Sequence, residues 1–539
     1  MNSLNSKPRQ ANILRLLYKS LYLLAFGFFL FKVYQYHHIN FGYSTLPMFC
    51  QTAHEQSLES LKETPHYTYP DNLGYDGQFY AQLALDPKAN SPEIQRALDN
   101  YSYRARRILF SWTAWALGIG DPYWIIQAYS IQNALFWFLT AILLLKWLPP
   151  NSWQNTLRFL SCISTAGLVY SFNRALLDGP SLFLIVLGIW LIEANRSWLG
   201  TAILGLAGLG KEANLLAITA LWKPGSNDAK AKIRFALQAI LAILPLLLWF
   251  SYILNSDTGG QSKTIGINNF TLPFVGYFSA VLEVLRKGGD TGFPAKTFIQ
   301  FAMLASLLIQ AAYLFLRPKP NRAWWRVGVT FAVLMLVLGD AVWKGAEAAP
   351  SVLLPMTFAF NLLFSRKTAL LPILIFANSL SIVGLSSMQT PMVTEQFELK
   401  GQSTLVYDSA TNEYETLLFQ NGWYIYEGDK KRYWRWSSGY GEMSFRIPGD
   451  RDVNTAFSFI LKTIEPRELT LEVNGETVWQ FQSPGGYSKI QSASFILKAG
   501  ENVLKIYSPQ PTSRVGADPR SLNFALYNYK IDLISAVSN

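Results

Sequence analysis

Cysteine, histidine and charge are all scarce in this chain, and each scarcity closes off a kind of protein. Two cysteines in 539 residues cannot build a disulfide framework. Cys50 precedes a polar stretch and Cys162 lies in an apolar span, so the two are not expected to pair. The four histidines, His37, His38, His54 and His66, fall in or beside one segment. Their spacing matches no metal motif, and they are read as interfacial residues. The chain has no phosphate-binding glycine loop, no nucleophile elbow and no Cys-x-x-Cys. Charged residues make up 15%, against ~25% in an ordinary soluble protein. The net charge of +11 does not mark a nucleic-acid binder, because lysine and arginine fall mostly in short connections between apolar spans. No nucleic-acid partner is expected.

What is abundant is apolar sequence, at 50% of the chain. Long stretches between Leu17 and Met388 carry almost no charge, whereas the region after Thr390 has an ordinary soluble composition. A bilayer-crossing helix needs about 20 mostly apolar residues. Candidate spans are 17–36, 122–147, 155–174, 179–194, 200–222, 233–254, 297–316, 326–343, 350–365 and 368–388. Lys211 and Glu212 interrupt the 200–222 span, which is read as two short helices, for a polytopic α-helical membrane protein of about 11 transmembrane helices. Segments 106–118 and 270–285 are too short to cross and are read as interfacial or re-entrant. The first span follows Lys7, Arg9, Arg15 and Lys19. With no small-residue cleavage site after Phe31, it reads as an uncleaved helix rather than a signal peptide.

Clustered basic residues orient the chain. They lie at the N-terminus, at Lys223, Lys230, Lys232 and Arg234, at Arg317, Lys319, Arg322 and Arg326, and at Arg366 with Lys367. With 11 crossings, all four groups fall in the cytoplasm. The same count puts loop 37–121 and residues 390–539 outside. The domain division is 1–389 for the membrane part and 390–539 for an extracytoplasmic unit. That unit alternates at Glu442–Ile447, Phe457–Lys462, Leu469–Val473 and Val503–Tyr507, with turn residues at Asn474-Gly475 and Pro484-Gly485-Gly486. About eight short strands in an all-β sandwich of jelly-roll type are expected.

The residues that could carry chemistry gather at the outer ends of the spans. Loop 37–121 holds Asp71 and Asp76 among aromatic rings, then Arg104, Arg106 and Arg107 before an apolar segment. A carboxylate there can act as a base or hold a divalent cation, and arginines can grip a phosphate; a solvated loop meeting lipid headgroups is the plain alternative. Arg174, Asp178, Lys211, Glu212, Asp340 and Lys344 lie at membrane edges, where an ionisable group usually faces a cavity or a partner. Lys211 and Glu212 could instead neutralise each other, and Asp178 could be a helix cap. In the predicted topology Asp178, Lys211, Glu212 and Asp340 reach the same face as Asp76. Trp423, Trp434 and Trp436 could stack on sugar rings, although alternate residues of a Trp-x-Trp strand more often serve a core.

At these residues the chain resembles the GT-C class of membrane glycosyltransferases, which use polyprenyl-phosphate sugars. Gly-Tyr-Asp-Gly-Gln-Phe-Tyr (74–80) looks like the class's Asp-bearing loop and Leu-Leu-Asp-Gly-Pro-Ser-Leu (176–182) like its second outer Asp motif. Gly-Leu-Gly-Lys-Glu-Ala-Asn (208–214) looks like the segment whose basic residue approaches the carrier phosphate. Asn-Gly-Trp-Tyr (421–424), Tyr-Trp-Arg-Trp-Ser (433–437), Val-Asn-Gly (473–475) and Asp-Pro-Arg-Ser-Leu (518–522) extend the likeness to a bacterial subgroup concerned with cell-surface glycopolymers. One departure is Ala-Ala-Pro-Ser-Val (348–352), where the resemblance calls for an arginine before Leu-Leu-Pro. The resemblance implies an inverting sugar transfer at the outer face of a bacterial inner membrane, from a lipid-linked donor to a glycan or lipid acceptor. It gives Asp76 the catalytic role and Arg104, Arg107 and Lys211 the donor phosphate, with Asp71, Asp178, Glu212 and Asp340 as further pocket residues. A transporter or flippase for lipid-linked sugars, or a non-enzymatic assembly protein, would explain the same composition.

Overall fold

The computed structural model describes residues 6–37, 41–50, 53, 56–69, 74–225, 228–256, 269–291, 295–365 and 368–388. Towards the C-terminus it describes 396–399, 403–408, 413–424, 427–428, 433–447, 452–492, 494–514, 518 and 520–536. The chain forms two compact units. One comprises 1–47, 56–64 and 76–390; the other comprises 48–55, 65–75 and 391–539. Two pieces of the first loop therefore belong with the C-terminal unit.

The first unit is helical. Among the described residues, four helices are long and apolar enough to cross a bilayer: Ile13–Tyr34, Pro122–Leu144, Ala229–Ser256 and Ala295–Leu316. Thr368–Ala377 and Leu380–Ser387 meet the same test together, as two helices bent by 44°. At ~1.5 Å per residue, 22 residues cover the ~30 Å hydrocarbon layer. Leu16, Leu23, Leu24, Leu30 and Phe31 of the first helix are exposed, as suits a helix in contact with lipid.

The other expected spans are shorter or interrupted, so the count of about 11 is not reached by length and composition. Segment 155–174 divides into Trp153–Ile163 and Ala166–Asn173, and 200–222 into Ser197–Gly210 and a 3-10 helix, Glu212–Leu221. The latter break falls at Lys211, where the charge pair in the sequence placed it. Asp178–Glu193 has 16 residues, and 326–343 ends its main helix at Val337. Hydropathy adds up apolar residues without registering these interruptions.

Breaks within a bilayer persist only where their backbone groups find partners. The bend after Ala377 meets this condition. Ser306 Oγ and Gln310 Nε2 donate to the Ala377 carbonyl at 2.6 and 2.7 Å. Asn361 and Asn378 exchange amide hydrogen bonds at 2.9 and 3.0 Å. Cys50 and Cys162 are both buried, and no disulfide joins them.

The second unit is β-rich. Two short strands, β1 (Phe49–Cys50) and β2 (Thr68–Tyr69), pair in parallel. Thirteen strands follow among the described residues: β3 (Gln396–Leu399), β4 (Ser403–Asp408), β5 (Glu413–Phe419), β6 (Glu427–Gly428), β7 (Tyr433–Trp436), β8 (Tyr440–Ile447), β9 (Val453–Thr463), β10 (Arg467–Val473), β11 (Glu476–Ser483), β12 (Gly486–Gln491), β13 (Phe495–Leu497), β14 (Gly500–Tyr507) and β15 (Phe524–Ala536). One sheet runs β11-β10-β14-β8-β5-β4-β3 and the other β12-β9-β15-β7-β6, with β13 on β9. Side chains of both sheets, among them Phe445, Leu471 and Ile506 from the first and Phe457, Leu461 and Phe524 from the second, share one core. The excess over eight strands comes from short pieces such as β6 and β13, too brief to show an alternation. Asn474-Gly475 makes the two-residue turn its sequence implies: both φ are positive, at 52° and 86°, and Val473 pairs with Glu476 across it.

Candidate active site

Asp76 stands just before the Gly77–Leu85 helix, where an aspartate ordinarily caps the first backbone N–H groups. It does not cap here: its backbone is already helical (φ −53°, ψ −31°) and its side chain makes no capping bond. The carboxylate turns to Arg104 instead. Arg104 Nη2 donates to Asp76 Oδ1 at 2.9 Å, and Nη1 lies 2.6 Å from Oδ2. The same buried guanidinium donates Nε and Nη2 to Asp99 at 2.8 and 2.7 Å. Burial opposes the charge on Arg104, but Tyr80, Asp99 and Asp76 outweigh it and hold the pKa above the usual arginine value. Asp76 keeps 46% of its side-chain exposure, so the carboxylate remains open to a ligand.

Gly77 is what lets this helix begin where it does. A Cβ there would collide with the carbonyl oxygen of Arg174 and crowd that of Pro47.

The two arginines after Arg104 reach the middle of the chain. Arg107 Nε donates to both oxygens of Glu212 at 3.2 and 3.1 Å, and its Nη1 to Tyr80 Oη at 3.3 Å. Arg106 contacts the same Glu212 carboxylate. The Tyr103 ring lies 5.3, 4.7 and 4.2 Å from the guanidinium carbons of Arg104, Arg106 and Arg107, close enough for its π-face to attract all three cations.

Glu212 is therefore not the partner of Lys211. Lys211, in extended backbone between two helices, donates Nζ to Asp178 Oδ1 at 2.5 Å. Asp178 is likewise no cap, since the residue before its helix is Leu177 and no side-chain cap forms. A narrow cleft of about 10 Å³, lined by Asp178, Lys211, Asn214, Ser351 and Pro355 among others, has room for about one water. The segment where an arginine was expected thus borders this pair with Ser351 and Val352.

Six candidates are brought into one series: Asp76 with Arg104, Arg107 with Glu212, Lys211 with Asp178. Arg104 and Arg107 lie a turn apart, and Lys211 and Glu212 are chain neighbours. Asp340 begins a one-turn helix, is exposed, and does not line the cleft. Asp71 lies outside the described residues, as do His38 and His54. Asp86 accepts from the Ser91 backbone N–H at 3.1 Å, as a residue at a helix end does.

Asp99 and Tyr103 were not among the residues singled out in the sequence. A carboxylate just before the helix that carries Arg104 is the signal that could have found Asp99. Glu347, 2.6 Å from Arg174, has no such local sign. For a metal, the donor set is poor. Both Asp76 oxygens face a guanidinium, and no group of three or more His, Cys, Asp or Glu side chains is placed to hold an ion among the described residues.

In the second unit, Trp436 is buried with Leu522, Ala525 and Tyr527. The Trp434 ring stacks on Tyr527 at 5.0 Å. Trp423 meets Phe419 and Phe524 edge-on and donates Nε1 to the Glu442 carbonyl at 3.1 Å. Asp518 and Arg520 form an ion pair, with Nη2 to Oδ2 at 2.7 Å, and Glu427 joins it.

No family model matches the chain, and no curated protein matches it. Several solved structures are similar in part. A ruminal GH26 endo-β-1,4-mannanase is 13% identical over 19% of this chain and 19% of its own, with a TM-score of 0.14. A family 35 carbohydrate-binding module from Clostridium thermocellum is 14% identical over 23% of this chain and 96% of its own, at 0.15. The arabinosyltransferase EmbB from Mycobacterium smegmatis is 11% identical over 80% of this chain and 59% of its own, at 0.24. The chain thus spans under a fifth of the mannanase and about three fifths of the arabinosyltransferase. Likenesses of this size carry no argument about the reaction. The fold itself defines the class: a multi-pass membrane protein with a β-rich C-terminal region.

Proposed function

We propose that this protein is a GT-C-type glycosyltransferase of the bacterial inner membrane, moving a sugar with inversion from a polyprenyl-phosphate carrier to a cell-surface glycan or lipid acceptor. The observation that carries the reading is the ion-paired series from Asp76 to Asp178, assembled from three distant parts of the chain. Asp76 takes the proton of the acceptor hydroxyl. A carboxylate has about four lone-pair sites, so the bonds to Arg104 leave sites for that proton. The acceptor oxygen attacks the anomeric carbon, the bond from that carbon to the phosphate oxygen breaks, and polyprenyl phosphate leaves as an anion. Arg104, Arg107 and Lys211 offset the charge that grows on the phosphate, as prearranged cations do in a site shielded from water. The phosphate competes with Asp178 for Lys211 and with Glu212 for Arg107, which gives those two carboxylates a gating role. Asp71 and Asp340 are assigned no part in these steps. No step is assigned to a metal.

The reading places the N-terminus in the cytoplasm and residues 390–539 outside, after about 11 crossings. The test is release of polyprenyl phosphate from a sugar-loaded carrier by the purified full chain. Acceptor-dependent release is expected. Passage of intact carrier across vesicles without release would instead establish a transporter.

A further inference from the structure

At the C-terminal end of the Glu212–Leu221 helix lies a second cavity, of about 570 Å³, within the range of ligand pockets. Its lining is basic: Lys223, Lys230, Lys232, Arg234 and Arg326 border it, against the single carboxylate of Asp228. The Lys223–Arg234 cluster of the sequence is thus joined here by Arg326 from another cluster. None of the five cations is paired with a carboxylate among the described residues. Asp228 accepts from the Lys230 backbone N–H at 3.0 Å. Arg326 is pinned by the carbonyls of Thr219, Pro320 and Ala220 at 2.9, 2.6 and 2.6 Å, which engage three of its five N–H donors. Arg234 donates to Ser197 Oγ at 2.6 Å. Gln238 lines the wall, is 3% exposed, and its side-chain nitrogen has no hydrogen-bond partner among the described residues. A buried donor left this way calls for an acceptor.

The surroundings say which kind of anion fits. The cavity lies at the N-terminal end of the membrane-length helix Ala229–Ser256. Farther along that helix Ile240, Leu241, Leu244, Leu247 and Leu248 are exposed. Trp222 is in the lining, and Trp198 lies 5.7 Å from the Arg234 guanidinium; tryptophan marks the level where hydrocarbon meets headgroups. An occupant with a phosphate at one end and acyl chains at the other satisfies both the cations and the apolar helix face. We infer that this cavity holds the headgroup phosphate of an anionic phospholipid whose acyl chains lie along Ala229–Ser256. The inference is independent of the transfer reaction.

Native mass spectrometry of the full chain in neutral detergent tests it, with short-chain phosphatidylglycerol, short-chain phosphatidylcholine and inorganic phosphate as probes. One tightly held phosphatidylglycerol is expected, with phosphatidylcholine far weaker and with affinity falling as salt rises. At about fivefold per basic residue, Lys230→Gln/Lys232→Gln/Arg234→Gln should weaken phosphatidylglycerol binding on the order of 100-fold. If the triple variant does not insert, Lys232→Gln alone should show about fivefold. Equal retention of the two lipids, or unchanged binding in the variants, would overturn the site. Displacement of phosphatidylglycerol by millimolar inorganic phosphate would overturn its assignment to a lipid.

Discussion

Replacing Asp76 by asparagine separates the two roles that its contact with Arg104 allows. If the contact is only structural, its loss is small. Asp76 is about half exposed, and pairs of that kind contribute about 0.2–1 kcal/mol. Arg104 also keeps Asp99, whose carboxylate it binds through both Nε and Nη2, so no buried cation is abandoned. A domain stable by ~5–15 kcal/mol would stay folded after such a loss, and activity would be nearly unchanged. If Asp76 takes the acceptor proton, general-base catalysis worth ~10²–10⁴-fold disappears, equivalent to about 3–5 kcal/mol on the barrier. The two outcomes differ by orders of magnitude in rate. The assay is polyprenyl-phosphate release by purified Asp76→Asn protein, with thermal unfolding in the same detergent as the measure of folding. Asp99→Asn is the companion, because it removes the other carboxylate from the same guanidinium. Wild-type turnover in Asp76→Asn would refute the catalytic role. An equal loss in both variants would reduce Asp76 to a residue that positions Arg104.

Three further outcomes are expected. Glu212→Gln leaves buried Arg106 and Arg107 without their shared carboxylate, which should cost about 3–5 kcal/mol, whereas exposed Asp340→Asn should stay within about 0.5 kcal/mol; equal shifts in thermal unfolding would contradict the burial argument. Gly77→Ala should cost about 1–3 kcal/mol and lower turnover, because the new methyl meets the fixed Arg174 carbonyl and displaces Asp76; a variant with wild-type melting temperature and rate would show that the contact gives way. Hydrogen bonds from the Arg520 side chain and backbone push the Asp518 carboxyl down from 3.8 to about 2. A depressed carboxyl stabilises the fold fully above its unfolded value and loses that contribution as pH falls towards the folded one. Acid unfolding of the full chain, followed by tryptophan fluorescence, should therefore show a component between about pH 4 and pH 2 that Asp518→Asn removes; an unchanged acid limb would count against the pair.

Much of this protein was written in local chemistry. The spans at 17–36, 122–147, 233–254 and 297–316 are legible because about 20 apolar residues admit few other fates. The hairpin at Asn474-Gly475 is legible because few residues besides glycine and asparagine take positive φ at low cost. The break at Lys211 could be read because a charge pair interrupts an apolar run. Each is a property of a handful of neighbouring residues. The partners of the charges are not. Lys211 and Glu212 adjoin in sequence, yet Lys211 binds Asp178, 33 positions away, and Glu212 binds Arg106 and Arg107, over a hundred positions away. The meeting of Arg326 with the Lys230 cluster in one cavity, the capture of loop pieces 48–55 and 65–75 by the C-terminal unit, and the divided or shortened spans after Leu144 are of the same kind. Apolar length and turn geometry act within one segment, so the sequence alone determined them. Coulomb attraction and side-chain packing act between segments, and only the tertiary structure decided which groups came within reach.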